Sequence, residues 1–211
     1  MVLLGRNAPV SELQFDFRQP ALDERLEWRC EPSQWTLDST RGCLRVQPDA
    51  GTDFWQRTHY GFRVDNGHFL FTNAAGDFVL TTHVRFEPVH QYDQAGLMVR
   101  LSEDCWIKTS VEYEPGRASR LGVVVTNRGY SDWSTQDIPA DRHHMWLRVR
   151  RAGADYLVGA SDDGAVWTQL RIAHLDQDDA VRAVQVGLYA CSPKGAGYAA
   201  EFDLLRLDDL A

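Results

Sequence analysis

Apolar residues recur at every second position in short runs along most of this 211-residue chain. Side chains of a strand point alternately to its two faces, so such runs predict half-buried strands. They fall at residues 43–47, 67–72, 77–86, 94–101, 105–113, 121–126, 145–151, 155–161, 166–172, 184–190 and 199–207. No stretch keeps apolar residues at i, i+3, i+4 and i+7 for several turns, and PALDERLEW and HLDQDDAVRAV predict only short turns. Turn formers separate the strands: DNG at 65–67, AAGD at 74–77, EPG at 114–116 and DDG at 162–164. The segment YLVGASDDGAVWTQL reads as strand, Asp-Gly, strand, which predicts a hairpin closed by a type I′ turn at Asp163–Gly164. Many short strands with regular turns, and no linker or repeat, predict a single all-β domain over residues 1–211. Its expected architecture is a two-sheet antiparallel β-sandwich of jelly-roll type.

The middle strands separate into two kinds of face. One carries Ala95, Leu97, Val99 and Leu101, then Ile107, Thr109 and Val111, then Leu147 and Val149, then Phe78, Leu80, Val84 and Phe86. That set suits the interior between two sheets. The opposite face carries Gln94, Met98 and Arg100, then Trp106, Lys108 and Glu112, then Trp146 and Arg148, then His83. A plain solvent face has few tryptophans. Indole plates among placed polar groups predict the floor of a concave ligand groove. The competing reading is that loops cover this face and its charges pair with one another.

Composition narrows the partners. The formal net charge is -8, so the chain is a poor candidate for nucleic acid. The N-terminal MVLLGRNAPV is too short in apolar residues for a signal or membrane segment. Cys30, Cys43, Cys105 and Cys191 form no C-x-x-C pair and predict reduced, mostly buried thiols in a cytoplasmic protein. The seven histidines show no H-x-H or HExxH spacing, and no G-x-S-x-G elbow or phosphate loop occurs. No metal and no cofactor are expected.

Five segments together carry a resemblance: TDFWQRTHYGFRVDNGHF, YDQAGLMVR, CWIKTSVEYE, VVVTNRGYSDWS and VGLYACSP. With them the chain, from about Phe15 to Leu207, resembles the regulation-of-enolase type domain. This is a domain of unknown function in the concanavalin A-like lectin/glucanase superfamily. The resemblance implies a concanavalin A-like sandwich and supplies no catalytic residues.

The leading expectation is non-enzymatic binding of a carbohydrate or sugar-like metabolite. Trp55, Trp106, Trp133 and Trp146 would stack on sugar faces. Asp53, His83, Gln94, Arg100, Lys108, Glu112, Asp132 and Arg148 would line the groove as polar partners. A second reading is a glycan hydrolase. It needs two carboxyl groups across the scissile bond, with Glu112 as the catalytic candidate and Glu114, Asp53 or Asp132 as its partner. A third is a regulatory module that binds a protein.

Overall fold

The computed structural model describes residues 12–210. The MVLLGRNAPV segment and the last residue of the expected 1–211 domain lie outside them. Among the described residues there are only strands, turns and loops, and no helix is long and apolar enough to cross a membrane. Two antiparallel sheets account for all but two of the seventeen strands among the described residues. One runs β12 (Tyr130–Ile138), β11 (Ser119–Asn127), β10 (Cys105–Glu112), β9 (Gln94–Ser102), β16 (Val184–Cys191), β7 (His68–Ala74) and β2 (Glu27–Arg29). The other runs β15 (Thr168–His174), β14 (Asp155–Ser161), β13 (His144–Ala152), β8 (Phe78–Glu87), β17 (Ala199–Asp209), β4 (Cys43–Gln47) and β3 (Gln34–Asp38), with β1 (Glu12–Phe15) also paired to β17. The remaining two strands, β5 (Phe54–Gln56) and β6 (Arg63–Asp65), form a separate hairpin.

The alternation explains why the sheets pack. Ala95, Leu97, Val99, Ile107, Val111, Leu80, Val84, Leu147 and Val149 all enter one apolar core between the sheets. Two hydroxyls enter with them and are satisfied by carbonyls: Thr109 Oγ1 donates to Gly122 O at 3.0 Å, and Thr82 Oγ1 to Leu204 O at 2.6 Å.

Two expectations are corrected. The Asp163–Gly164 turn is not a two-residue type I′ turn. β14 ends at Ser161 and β15 begins at Thr168, and of the pair only Gly164 has positive φ. The Asp163 carboxylate accepts the N–H groups of Ala165 (2.8 Å) and Val166 (2.9 Å), so its side chain organises a longer loop in place of a tight ladder end. Second, the mixed polar positions do not share one face. His83, Trp146 and Arg148 lie on β8 and β13, in the sheet opposite the one that carries Gln94, Lys108 and Glu112. Alternation along a strand distinguishes inside from outside, but it does not say which of two outer faces a residue joins.

One polar cluster lies deep at the end of the sandwich. Arg151 and Asp178 have fully buried side chains and form an ion pair. Arg151 also donates to Gly76 O (3.0 Å) and Gly153 O (3.1 Å), and the Tyr156 hydroxyl donates to Asp178. These bonds tie the loop that follows β15 to the ends of β13 and β14.

Candidate functional site

The outer face of the seven-stranded sheet is half covered. The β5–β6 hairpin lies over it and builds a second apolar cluster from Phe54, Trp55, Phe69, Phe71, Met98, Trp106, Val124, Tyr189 and Cys191. Gly67, just after the hairpin, permits this close approach. A Cβ there would stand 2.3 Å from the Phe54 ring and 2.6 Å from Cys191 Sγ. The hairpin is pinned at three further points. Arg100 makes a two-point ion pair with Asp65 at 2.8 and 2.9 Å, Arg57 donates to Gly129 O at 3.2 Å, and Gln56 N donates to Ser131 Oγ at 2.9 Å. Ser131 Oγ also bonds Thr126 Oγ1 at 2.7 Å, and both hydroxyls are buried. Ser131→Ala therefore leaves the Gln56 N–H without an acceptor. We expect a stability loss of about 1–3 kcal/mol and faster hydrogen exchange at the Gln56 amide than in wild type.

Beyond the hairpin's cover a cavity of about 190 Å³ remains, lined by Asp53, Trp55, Tyr60, Phe62, Tyr92, Gln94, Lys108, Glu112, Trp133, Pro193 and Lys194. Cross-strand register puts Glu112 opposite Gln94, and Lys108 lies four residues, two pleat repeats, away on the same face of β10. The Lys108 ammonium is buried. It donates to Gln94 Oε1 at 2.8 Å, pairs with Asp53 Oδ1 at 3.2 Å, and lies 5.5 Å from the centre of the Tyr189 ring. Tyr189 also donates its hydroxyl to Gln94 Oε1, at 3.1 Å. Burial disfavours the ammonium, but Asp53 and Glu112 outweigh it and hold the Lys108 pKa above its ordinary value.

Glu112 is the exception in this network. It is 7% exposed, and among the described residues nothing hydrogen-bonds to its carboxyl or pairs with it. Burial pushes its pKa up from 4.5 to about 7; the nearby Lys108 opposes the rise, while Asp53 and Glu114 add to it. The expected Glu112–Glu114 pair does not line the cavity together. β10 ends at Glu112, and Glu114 accepts from Gln91 at 2.9 Å outside it.

Trp133 belongs to the edge strand β12. Its neighbour across the ladder is Val124, and its indole lies over Gly122, where a Cβ would meet Trp133 Nε1 at 3.0 Å. The missing side chain lets the ring lie flat against the sheet as one wall of the cavity. The shielded Trp133 Nε1 finds no acceptor there.

Of the twelve expected site residues, Asp53, Trp55, Gln94, Lys108, Glu112 and Trp133 meet in the cavity. Trp106 is fully buried beneath the hairpin, so it supports the site and offers no stacking face. Arg100 is committed to Asp65. Asp132 is exposed and pairs with Arg171 at 3.2 Å. On the far sheet, His83 stacks on Trp146 at 4.7 Å, and the Arg148 guanidinium lies 4.1 Å from the Trp167 ring centre. Tyr60 lines the cavity too, and so do Phe62, Tyr92, Pro193 and Lys194, which were not expected there although all but Lys194 occur in the segments that carry the resemblance.

Among the described residues no three His, Cys, Asp or Glu side chains are grouped to hold a metal. The four cysteines are free, three of them buried. Burial pushes the Cys105 thiol up to about 12, far from a reactive thiolate.

With this geometry in hand, comparison with known proteins gives four findings. The family described as "Protein of unknown function (DUF1349)" matches residues 28–210. "Regulation of enolase protein 1" of Saccharomyces cerevisiae is 35% identical over 161 residues, covering 76% of this chain and 79% of that protein. The "Putative beta-xylosidase" of Escherichia coli is 27% identical over 207 residues, covering 89% of this chain but only 37% of that protein. A crystal structure of a functionally unknown protein from Saccharomyces cerevisiae superimposes with a TM-score of 0.79 at 31% identity, over 89% of this chain and 98% of that one.

Proposed function

Since this chain belongs to the family described as Protein of unknown function (DUF1349), we propose its function from the site itself: non-enzymatic binding of one saccharide unit, or a sugar-like metabolite, in the cavity beside the β5–β6 hairpin. The observation that carries this reading is the Glu112 carboxyl: the residue is largely buried, yet its oxygens reach the cavity and have no hydrogen-bond partner among the described residues. A carboxylate in so narrow an opening is poorly solvated, which is costly. A ligand hydroxyl donating to it lowers that cost. Around it, Trp55, Trp133 and Tyr92 offer apolar surface for the C–H faces of a sugar ring, and Gln94 and Asp53 add polar contacts. The cavity is smaller than the roughly 300–1,000 Å³ of sites for drug-sized ligands, which suits a single ring. The E. coli relative named as a putative β-xylosidase makes pentoses the first probes.

A hydrolase is the second reading, and one observation favours it. Glu112 is held near a pKa of about 7, while Asp53 in the same cavity is ion-paired with Lys108. Two carboxyl groups in different environments can divide acid and base roles.

Titrating labelled protein with xylose, arabinose, glucose and galactose, and assaying an aryl xyloside in parallel, tests both. Shifts of the Trp55 and Trp133 indole signals without turnover are expected. Turnover that Glu112→Gln abolishes while retaining binding makes the protein a hydrolase. An empty panel removes both sugar readings and leaves the protein-binding module.

A further inference from the structure

Along the hairpin Trp55, Tyr60 and Phe62 form a contact series, and His59 packs edge-on against Tyr60 at 4.7 Å. Trp55, almost buried, meets Tyr60 edge-on at 5.5 Å, and Tyr60 stacks on Phe62 at 5.8 Å with 24° between the planes. Trp55 is 8% exposed, whereas Tyr60 and Phe62 are about half exposed, at 52% and 48%. The rings lead from inside the cavity to its mouth, since all three line it. Adjacent half-exposed aromatics on a chain of this charge need a reason beyond chance.

The backbone beneath them is strained. Arg57 and His59 both adopt positive φ, 55° and 61°, alternating with the tight bonds Thr58 N to Gln56 O and Tyr60 N to Thr58 O, each 2.6 Å. Across the cavity Tyr92, a bulky residue, also has φ of 70°. Such conformations cost of order 1–3 kcal/mol each and persist where the surroundings impose them, most often at ligand sites. Here they hold the Tyr60 and Phe62 rings at the mouth instead of letting the tip collapse onto the sheet.

We infer that Tyr60 and Phe62 form a stacking platform for the second unit of an oligosaccharide whose terminal unit fills the cavity. This rests on the saccharide reading above. The cavity holds one ring, so a chain must leave through the mouth, where these rings stand. A sugar's C–H face matches their exposed apolar surface. The site is then one for chain ends.

The test compares xylose with xylobiose, and glucose with cellobiose, by calorimetry on wild type, Tyr60→Ala and Phe62→Leu. The second variant keeps apolar bulk but removes the flat ring, and melting curves check that both fold. We expect one disaccharide to bind about tenfold tighter than its monosaccharide, the ratio that about 1.4 kcal/mol corresponds to, and that ratio to fall towards one in both variants. Equal affinities in wild type, or a ratio unchanged in the variants, overturns the platform while leaving the cavity reading intact. No binding of any of these four sugars, with arabinose and galactose also failing to bind, removes the cavity reading and the platform with it.

Discussion

Glu112→Gln is expected to raise stability by about 3 kcal/mol at pH 8 to 9 and to leave it nearly unchanged at pH 4.5. The sign follows from the raised pKa. In the unfolded chain this carboxyl loses its proton near its ordinary 4.5, and in the folded protein only near 7. Between those values the folded protein holds a proton that the unfolded chain has released. Stability therefore falls by about 1.4 kcal/mol per pH step of one as the pH rises. Above about 7 the full penalty of a buried carboxylate is present and constant. Glutamine has nearly the same shape and no charge to bury, so it removes the penalty. Urea unfolding at pH 4.5, 6, 7.5 and 9 reads the difference directly. A variant that is no more stable than wild type at pH 9 shows Glu112 to be solvated or paired.

Arg151→Met is expected to cost about 3–5 kcal/mol. The side chains of Arg151 and Asp178 are both fully buried, so the substitution strands a carboxylate with no counter-charge. Tyr156 would still donate to it, and burial already pushes that phenol's pKa well up. The pair itself is a different matter from its disruption. Replacing both charges with apolar residues, Arg151→Met with Asp178→Leu, should cost less than Arg151→Met alone, because no unpaired ion remains. Thermal and denaturant unfolding of the two single variants and the double variant give the coupling. Equal losses in the single and double variants contradict a mutually dependent pair.

The strands were legible where a sheet is buried on one side. β4, β9, β10 and β14 begin at the residues that alternation marks, because one face of each enters the core between the sheets. β12 was not legible, since SDWS and its neighbours form an edge strand with mostly exposed positions and hence no apolar rhythm. β5 and β6, three residues each, are too short to show any period. Yet this hairpin decides what the outer face does. It turns Trp106 from an expected stacking plate into packed support, and it recruits Arg100 as an anchor. Glu112, Lys108 and Gln94 were found from strand alternation because they share one face of paired strands. His83, Trp146 and Arg148 showed the same local pattern and sit on the other sheet, because sheet membership is set by long-range pairing that no local window contains.

The most direct measurement is a carbon-13 NMR titration of the Glu112 side-chain carboxyl, without sugar and with xylose at high concentration. The site described here predicts a midpoint of about 7 in the free protein. It also predicts a lower midpoint with xylose bound, because hydroxyl donors favour the ionised form. A midpoint near the ordinary 4.5 that xylose leaves unmoved would contradict a buried, unpaired carboxyl held for a sugar.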